Sequence, residues 1–290
     1  NDEQCARLLP AACTGEAVCG MAMTEPSCGT DVLAMRTNAV GQDDGSYLLN
    51  GSKIWITNGA VNDAETGDTF LVYARTKEGS GAGNHSLFLV EKGMEGFSVG
   101  QRLKDKCGMR ASPTAEIVFD NVRVPAENVV GTPGSAVSSM MRNLELERVT
   151  LAAMSLGIAR RSIEVMNSYA RERTAFGEPL VKFGQIQADL ADSFAEYQAG
   201  RAYVYNFASG MALDKSGSRI DSDGVKLFCA RMAKNVADRA MQTLGGYGYV
   251  GEYQVERLWR DAKLLEIGGG TNGAHQKNMT KDLASVTSLP

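Results

Sequence analysis

Residues 140–161 read MMRNLELERVTLAAMSLGIARR. Its apolar residues recur every three or four positions, which is the period of an α-helix with one apolar face. The positions on this face are Met140, Leu144, Glu147, Leu151, Met154 and Ile158. The pattern therefore predicts a long helix whose core-facing stripe contains a single acid, Glu147.

A carboxylate on a core-facing stripe has two interpretations. Burial disfavours the charged form and raises the pKa, so Glu147 beside a pocket can serve as a general base. Alternatively, Glu147 forms a structural ion pair, for example with an arginine of another helix, and periodicity alone favours this second interpretation. Glu145 and Arg148 point off the stripe, and we expect them on a solvated helix face.

The spacing at which apolar residues recur differs between two parts of the chain. From about residue 134 the helical period continues and predicts helices near 135–172, 183–213, 218–244, 252–263 and 271–286. Between about residues 20 and 130, short apolar bursts separated by turn signals predict an antiparallel sheet or small barrel. The pair Asn50-Gly51 predicts a hairpin turn because both residues tolerate positive φ. These patterns indicate an α+β protein.

Composition excludes several classes of function. The 290 residues carry a formal net charge of -4 without a basic run, which argues against nucleic-acid binding. No apolar run reaches the roughly 18 residues of a membrane span. Six cysteines without a C-x-x-C pair and only two histidines predict reduced, mostly buried thiols and no metal site. Without a G-x-S-x-G motif, a His-driven hydrolase has little support, so carboxylate or cofactor chemistry must carry any catalysis.

The triple glycine in LLEIGGGTNGAHQ, residues 264–276, is not a common phosphate-binding loop. It lacks the G-K-[ST] ending of a nucleotide loop, and it follows a helical segment instead of a strand. Neither a P-loop nor a dinucleotide fingerprint is therefore predicted at this position.

Six motifs in fixed order give a resemblance that covers nearly the whole chain. They are MAMTEPSCGTDV, KIWITNG, LERVTLAAMSLG, RTAFG, LGGYGYV and LWRDAKLLEIGGGT. Together they resemble the acyl-CoA dehydrogenase family. The resemblance implies FAD-dependent oxidation of an acyl-CoA thioester to the trans-2-enoyl-CoA, with electrons passed to an electron-transfer flavoprotein.

The resemblance also implies a domain organisation. Residues 1–17 correspond to the end of an N-terminal helical domain, most of which is missing from this sequence. Residues 18–132 correspond to a middle antiparallel β domain, and residues 133–290 to a C-terminal four-helix bundle. The family implies a homotetramer, a dimer of dimers, in the mitochondrial matrix of a eukaryote or the cytoplasm of a bacterium.

Residues that would hold FAD and coenzyme A follow from the same motifs. By resemblance, the segment Met21, Ala22, Met23 and Thr24 lies along the flavin ring, Trp55 and Ile56 pack beside it, and the Thr57 hydroxyl bonds flavin N5. Thr30 is placed for the coenzyme A phosphates. A third group corresponds to positions that reach the FAD of a neighbouring subunit: Arg173, Phe176, Gln242, Gly245 and Gly246. Thr271 and Asn272 correspond to the flavin edge.

The position of the base distinguishes subgroups of this family. Most members carry the catalytic Glu in an E-G-T motif, but the corresponding residues here are Gly269, Gly270 and Thr271. Isovaleryl-type and long-chain members carry it in an L-E-R motif, which implies Glu147 as the base. By resemblance, Gly269 makes room for a branched acyl chain, and Leu144, Glu145, Leu146, Arg148 and Gly270 complete the substrate site. Isovaleryl-CoA is the expected substrate; a long straight acyl chain, or a non-catalytic binding role, stays open.

Overall fold

The computed structural model describes residues 1–79, 81–211 and 219–285, which form two compact units. The first unit contains Asn1–Lys106 and Arg110–Met140. The second contains Cys107–Met109 and the described residues from Met141 onward. The domain bounds predicted from the sequence, 1–17, 18–132 and 133–290, stay a prediction.

The first unit is a β-sheet preceded by helix α1. Helix α1 is Asp2–Thr14. The strands are β1 Cys19–Ala22, β2 Asn38–Gly41, β3 Tyr47–Thr57, β4 Thr69–Arg75, β5 His85–Glu91, β6 Phe97–Arg102, β7 Thr114–Val124 and β8 Val129–Val130. They lie in the order β6-β7-β3-β2-β4-β5-β8, with β1 beside β4. Neighbours are antiparallel except that β1 and β2 each run parallel to β4, which corrects the expectation of an antiparallel sheet.

The core of this unit comes from the alternate residues of the strands. Strand β5 is buried at His85 to Val90 without alternation, as expected for a strand covered on both faces. The central cluster is Ala22, Ala39, Leu49, Ile56, Phe70, Val72, Ala74, Phe88, Val90, Ile117, Phe119, Val122 and Val124.

The predicted hairpin at Asn50-Gly51 is wrong. Both residues lie inside β3, where the pairing with β7 shifts register between Leu49 and Gly51. Asn50 instead bonds across the bulge: its Oδ1 accepts from the backbone N–H of Asn121 at 2.9 Å. A side chain at Gly51 would meet Thr37 at 2.6 Å, so the glycine is required by close approach of backbone and not by a turn. The turn lies earlier, between Gly41 and Tyr47.

The second unit is helical. Its helices are α2 Ala136–Glu172, which begins in the first unit, α3 Gly184–Gly210, α4 Arg219–Leu244, α5 Gly246–Tyr249, α6 Val255–Leu265 and α7 Asn272–Leu283. A small hairpin, β9 Thr174–Ala175 and β10 Glu178–Pro179, follows α2. The five predicted helices are confirmed to within a few residues, and their predicted ends at 212–213, 218 and 286 lie outside the described residues. One core cluster joins α2, α3, α4 and α6, and another joins α2, α4 and α6.

The most deeply buried face of α2 only partly follows the predicted apolar stripe. Met140 on the stripe is fully buried, Met154 is 42% exposed, and the other four positions are half-buried. The deeply buried positions run instead through Glu145, Arg148, Ala152, Ser155, Leu156, Ala159, Ser162 and Met166. Alanine and serine lie on this face because small side chains let helices approach closely, and a hydrophobicity pattern gives such residues little weight. The expectation that Glu145 and Arg148 face solvent is therefore wrong.

The cysteines differ from the sequence-based expectation. All six cysteines are free, but four of them, Cys5, Cys13, Cys19 and Cys107, are exposed, so the prediction of mostly buried thiols is wrong. Helix α1 buries only Gln4, which leaves Cys5 and Cys13 on its outer side. Among the described helices, none has the length and hydropathy to cross a membrane. Within the same residues, no group of three or more His, Cys, Asp and Glu side chains is placed to hold a metal ion.

Candidate functional site

The carboxylate of Glu147 is half-buried and incompletely bonded. Its Oε2 atom is buried without a hydrogen-bond partner among the described residues. Burial raises the pKa of Glu147, and the positive charges of Arg148 and Lys226 act in the opposite direction. The described residues do not support a structural ion pair between Glu147 and an arginine. The neighbouring Arg148 pairs with Asp223 instead, at 3.1 Å.

A backbone turn without side chains borders this carboxylate. Gly269 has a φ of 64°, and a Cβ placed on it would lie 3.4 Å from Glu147 Oε1 and 2.3 Å from Leu151 Cδ1. Gly270 follows with a φ of 105°. Positive φ and the absence of space both require glycine here, so the backbone itself faces Glu147.

Buried charged residues surround the Gly269–Gly270 turn within the second unit. Asp223 Oδ1 is 2.5 Å from His275 Nδ1 and 3.1 Å from Arg148 Nη1. Lys226 Nζ donates to the carbonyl oxygen of Gly270 at 2.6 Å. Burial, and then the charge of Arg148, lowers the pKa of Lys226 to about 8. The turn is thus bonded to a network of charges that bulk water does not reach.

Helix α7 begins directly after the turn. Thr271 is its N-cap, and the Thr271 hydroxyl accepts from the backbone N–H of Ala274 at 3.1 Å. Asn272 Nδ2 donates to Glu266 Oε1 at 3.2 Å, and Lys263 pairs with Glu266 at 2.7 Å. Glu266 is therefore held by its own neighbours. The Asn272 Oδ1 atom is buried without a partner in the described chain.

In the first unit, an ion pair anchors the segment expected along the flavin. Lys53 Nζ donates to the carbonyl oxygen of Met23 at 2.9 Å and to Glu25 Oε1 at 3.0 Å. The carbonyl oxygen of Thr24 accepts from the N–H of Ile54 at 2.9 Å. Residues 23–25 are thereby fixed beside β3, close to the predicted flavin residues of that strand. Ala22 and Met23 are buried, whereas Met21 and Thr24 are half-buried.

Trp55 projects from β3 in an unusual conformation. It has a φ of 59°, which non-glycine residues seldom adopt, and lies where the pairing of β3 with β7 shifts register between Lys53 and Ile56. The side chain is 59% exposed, while Ile56 is buried and Thr57 exposed. The sequence-predicted residues Trp55 and Thr57 therefore present an indole and a hydroxyl at the surface of the unit.

The residues predicted to contact a neighbouring subunit lie at the surface of the second unit. Phe176 is at the tip of the β9–β10 hairpin, with a φ of 50° and 97% of its surface exposed. Arg173, Gln242, Gly245 and Gly246 are exposed too, and a Cβ on either glycine would have no neighbour within 4 Å. Of the predicted substrate residues, Thr30 is exposed and Leu144 and Leu146 are half-buried.

Several buried residues of these sites were not predicted from the sequence. They are Glu25, Lys53, Asp223, Lys226 and His275. The signal for Asp223 and Lys226 is weak: they lie three residues apart in a stretch rich in small residues, and each resembles an ordinary surface charge. Their partners, Arg148, His275 and Gly270, are more than 40 positions away in the chain.

The fold matches solved structures of acyl-CoA dehydrogenases. Butyryl-CoA dehydrogenase from Megasphaera elsdenii superposes with a TM-score of 0.91 at 36% identity, over 98% of this chain and 72% of that one. A chain in the solved structure of the electron transferring flavoprotein of Acidaminococcus fermentans matches with a TM-score of 0.91 at 36% identity, over 99% of this chain and 73% of that chain.

Family models assign the two parts of the sequence. The acyl-CoA dehydrogenase middle domain matches residues 20–122, and the acyl-CoA dehydrogenase C-terminal domain matches residues 137–284. The chain belongs to the acyl-CoA dehydrogenase family. The mitochondrial isovaleryl-CoA dehydrogenase of Oryza sativa subsp. japonica is 43% identical over 277 residues, which are 96% of this chain. The alignment spans 66% of that relative's length.

Proposed function

We propose that the protein catalyses the FAD-dependent α,β-dehydrogenation of an acyl-CoA thioester, with Glu147 as the base. The observation that carries this proposal is the half-buried Glu147 carboxylate, with one oxygen unpartnered among the described residues, facing the side-chain-free turn at Gly269. A carboxylate that has a raised pKa and an unbonded oxygen is suited to accept a proton from a bound substrate.

Residues of the second unit have separate proposed roles in removing the α-proton of the substrate. Glu147 accepts the proton, and the charges of Arg148 and Lys226 favour the ionised form that can do so. The backbone N–H at Gly269 is proposed to donate to the thioester carbonyl, where negative charge develops as the proton leaves. Leu151 and the absent side chain at Gly269 shape the space for the acyl chain.

The residues of the first unit fit a flavin. Trp55 offers an exposed apolar ring face, Thr57 an exposed hydroxyl, and Met21 to Thr24 a segment held beside them by Lys53. We propose that these residues bind the isoalloxazine, with Thr57 bonding N5. When bound, FAD supplies the acceptor for the β-hydride.

A second copy of the chain is proposed to complete the cofactor site. Arg173, Phe176, Gln242, Gly245 and Gly246 are exposed, and an arginine fork suits a pyrophosphate while glycines admit close approach. We propose a homotetramer in which FAD is shared across a subunit interface, with an electron-transfer flavoprotein as acceptor. The match to a chain of the Acidaminococcus structure supports this choice of partner.

Isovaleryl-CoA is the proposed substrate. The support is the L-E-R position of Glu147, the glycine at 269 and the similarity to the rice enzyme named isovaleryl-CoA dehydrogenase. A long straight acyl chain is the alternative, since it also requires a small residue at 269. The proposed compartment is the mitochondrial matrix, as for that rice relative, if the source is a eukaryote, and the cytoplasm if it is a bacterium.

Anaerobic reduction of the bound flavin tests the proposal. Full-length wild-type protein should lose its visible flavin absorbance when isovaleryl-CoA is added, and Glu147→Gln should retain FAD but not bleach. Glu164→Gln, on an exposed part of the same helix, is the matched control and should bleach like wild type. Turnover by Glu147→Gln would reject Glu147 as base. Colourless protein that takes up no added FAD would reject the enzyme and favour a binding role.

A further inference from the structure

The reaction proposed for Glu147 uses the charges of Arg148 and Lys226 but assigns no role to Asp223 and His275, which lie behind the Gly269–Gly270 turn. Asp223, Lys226 and His275 are each fully buried, and Arg148 nearly so. Charged groups removed from water are costly unless they are paired and bonded, so such a cluster is seldom neutral to function or stability. Three helices form the cluster: α4 supplies Asp223 and Lys226, α7 supplies His275, and α2 supplies Arg148.

The Asp223 carboxylate orients the ring of His275. Because an ionised carboxylate only accepts hydrogen bonds, the 2.5 Å contact places the proton on His275 Nδ1. The opposite edge of the ring then faces the turn: a Cβ on Gly270 would lie 2.9 Å from Cε1 and 3.2 Å from Nε2. His275 Nε2 has no hydrogen-bond partner in the described part of the chain. The ring is therefore held from behind by Asp223 and packs against Gly270 in front.

Lys226 holds the same glycine through its carbonyl. Its Nζ donates to Gly270 O at 2.6 Å. Asp223 and Lys226 are three residues apart on α4 and so lie on one face of that helix. The His275 ring thus fills the space that a side chain at Gly270 would need, and Lys226 bonds the Gly270 oxygen.

Two successive glycines with positive φ have wide conformational freedom, and a local backbone bond from Asn272 N to Glu266 O at 3.1 Å spans them without bonding Gly269 or Gly270. The position of Gly269 next to Glu147 therefore depends also on the groups that contact its neighbour Gly270. On the basis of the proposed function, we infer that Asp223 and His275 are positioning residues: with Lys226 they hold the Gly269–Gly270 backbone in register with the Glu147 carboxylate. They touch neither substrate nor flavin in this role.

The consequence is a geometric effect on the rate. A displacement of the turn by about 1 Å changes the distance between the Glu147 carboxylate on α2 and the Gly269 backbone N–H proposed to bind the thioester, and misplacements of this size cost up to about 100-fold in rate. Loss of the His275 donor should therefore lower kcat more than it raises KM, and should enlarge the kinetic isotope effect of an α-deuterated acyl-CoA, because proton abstraction becomes more rate-limiting.

Four variants of the full-length holoenzyme test this inference. His275→Leu should lower the rate of anaerobic flavin bleaching roughly 10- to 100-fold with FAD content retained. His275→Asn, whose amide replaces the Nδ1 donor, should recover most of the rate. Gln276→Leu, an exposed neighbour on α7, should match wild type. Met232→Ala, which opens a cavity in the core of the same unit, should lower stability without the isotope effect.

Rates and isotope effects like wild type in His275→Leu, or equal losses in the Leu and Asn variants, would overturn the inference. If His275→Leu does not fold, Asp223→Asn replaces it, and an unchanged isotope effect there has the same meaning. Glu147→Gln is measured beside them. If that variant turns over, the proposed function fails; if it is inactive while the His275 variants are normal, only the positioning role fails.

Discussion

Gly269 presents its Cα directly to Glu147, so that a methyl group at this glycine would lie 3.4 Å from Oε1. The same methyl group would lie 2.3 Å from Leu151 Cδ1, closer than any van der Waals contact. The pair defines how much space the acyl end of a substrate has beside the proposed base.

Gly269→Ala is therefore expected to harm both stability and activity. The left-handed backbone costs a non-glycine residue about 1–2 kcal/mol, and overpacking against Leu151 costs about 1–3 kcal/mol. Thermal unfolding and flavin bleaching measure the two effects. Leu151→Ala in the same chain should restore part of the rate. The control is Gly157→Ala on α2, where a Cβ meets nothing within 4 Å, and this change should stabilise by roughly 0.5–1 kcal/mol.

The pH dependence of kcat/KM should report the Glu147 carboxylate. Because burial raises the pKa of Glu147, the rate should fall with decreasing pH at values above the ordinary 4.5 of a glutamate. Lys226→Met removes a charge that favours ionisation of Glu147, so the acid limb should move to higher pH, while loss of the bond to Gly270 should lower the rate at every pH. An acid limb at or below 4.5 in the wild type would contradict this assignment.

The free energy of unfolding should depend on pH through the Glu147 carboxylate, and the direction of that dependence follows from its raised pKa. Between the ordinary pKa and the raised pKa of Glu147, the folded protein binds more protons than the unfolded chain. The free energy of unfolding should therefore fall as pH rises through this window, and Glu147→Gln should remove that slope. Urea unfolding measured across the window checks the sign; a slope of the opposite sign would mean that the folded state favours the ionised form.

The helices and the sheet region were accessible from the sequence because each is a local pattern, whereas the role of Glu147 stays a prediction. The 3.6-residue period gave α2 from residue 135, against Ala136 in the structure. The most deeply buried face of α2 was not accessible, because Ala152, Ser155 and Ala159 are small, and the buried Arg148 is paired with Asp223, 75 positions later. A pairing of this kind is decided by the tertiary fold and leaves no periodic trace.

The hairpin shows a second reason for failure. Asn50-Gly51 has the composition of a two-residue turn, yet the strand continues through it, since Asn50 bonds Asn121 and Gly51 makes room for Thr37. The sequence indicated that glycine is needed at position 51. It could not give the reason, because a tight turn and a close approach to another segment both select glycine. Similarly, the motif resemblance located Trp55 without indicating the buried Lys53 that fixes the segment beside it.

Trp55 should respond to FAD more strongly than the other tryptophan. The chain has two tryptophans: Trp55 is 59% exposed, and Trp259 donates from Nε1 to Asp238 at 3.0 Å in the second unit. Trp259→Phe leaves Trp55 as the sole emitter, and FAD should then quench a larger fraction of the fluorescence than in Trp55→Phe. Titration of the apoprotein with FAD measures both. Equal fractional quenching in the two variants would argue against stacking of the flavin on Trp55.

The Lys53–Glu25 pair should be the most sensitive ion pair of the first unit. Both side chains are buried, and Glu25 also accepts the backbone N–H groups of Arg36 at 2.6 Å and Thr37 at 2.9 Å. Lys53→Met leaves the carboxylate buried without its cation, so the free energy of unfolding should fall by about 3–5 kcal/mol. Glu25→Gln added to Lys53→Met should recover part of this loss, because no unpaired charge remains.

The exposed ion pair between Lys92 and Glu65 serves as the control for the stability loss expected from Lys53→Met. Lys92 and Glu65 lie 3.4 Å apart with side chains 42% and 53% exposed, so Lys92→Met should change stability by no more than about 1 kcal/mol.

Burial acts to raise the pKa of Glu25, but Lys53 and the hydrogen bonds to Glu25 lower it overall. The stabilisation from Glu25 is therefore present above the pKa of an unfolded glutamate and is lost as pH falls through the lowered value. Urea unfolding at pH 7 and in acid measures both effects, and equal losses in the Lys53 and Lys92 variants would show that burial of the pair contributes nothing.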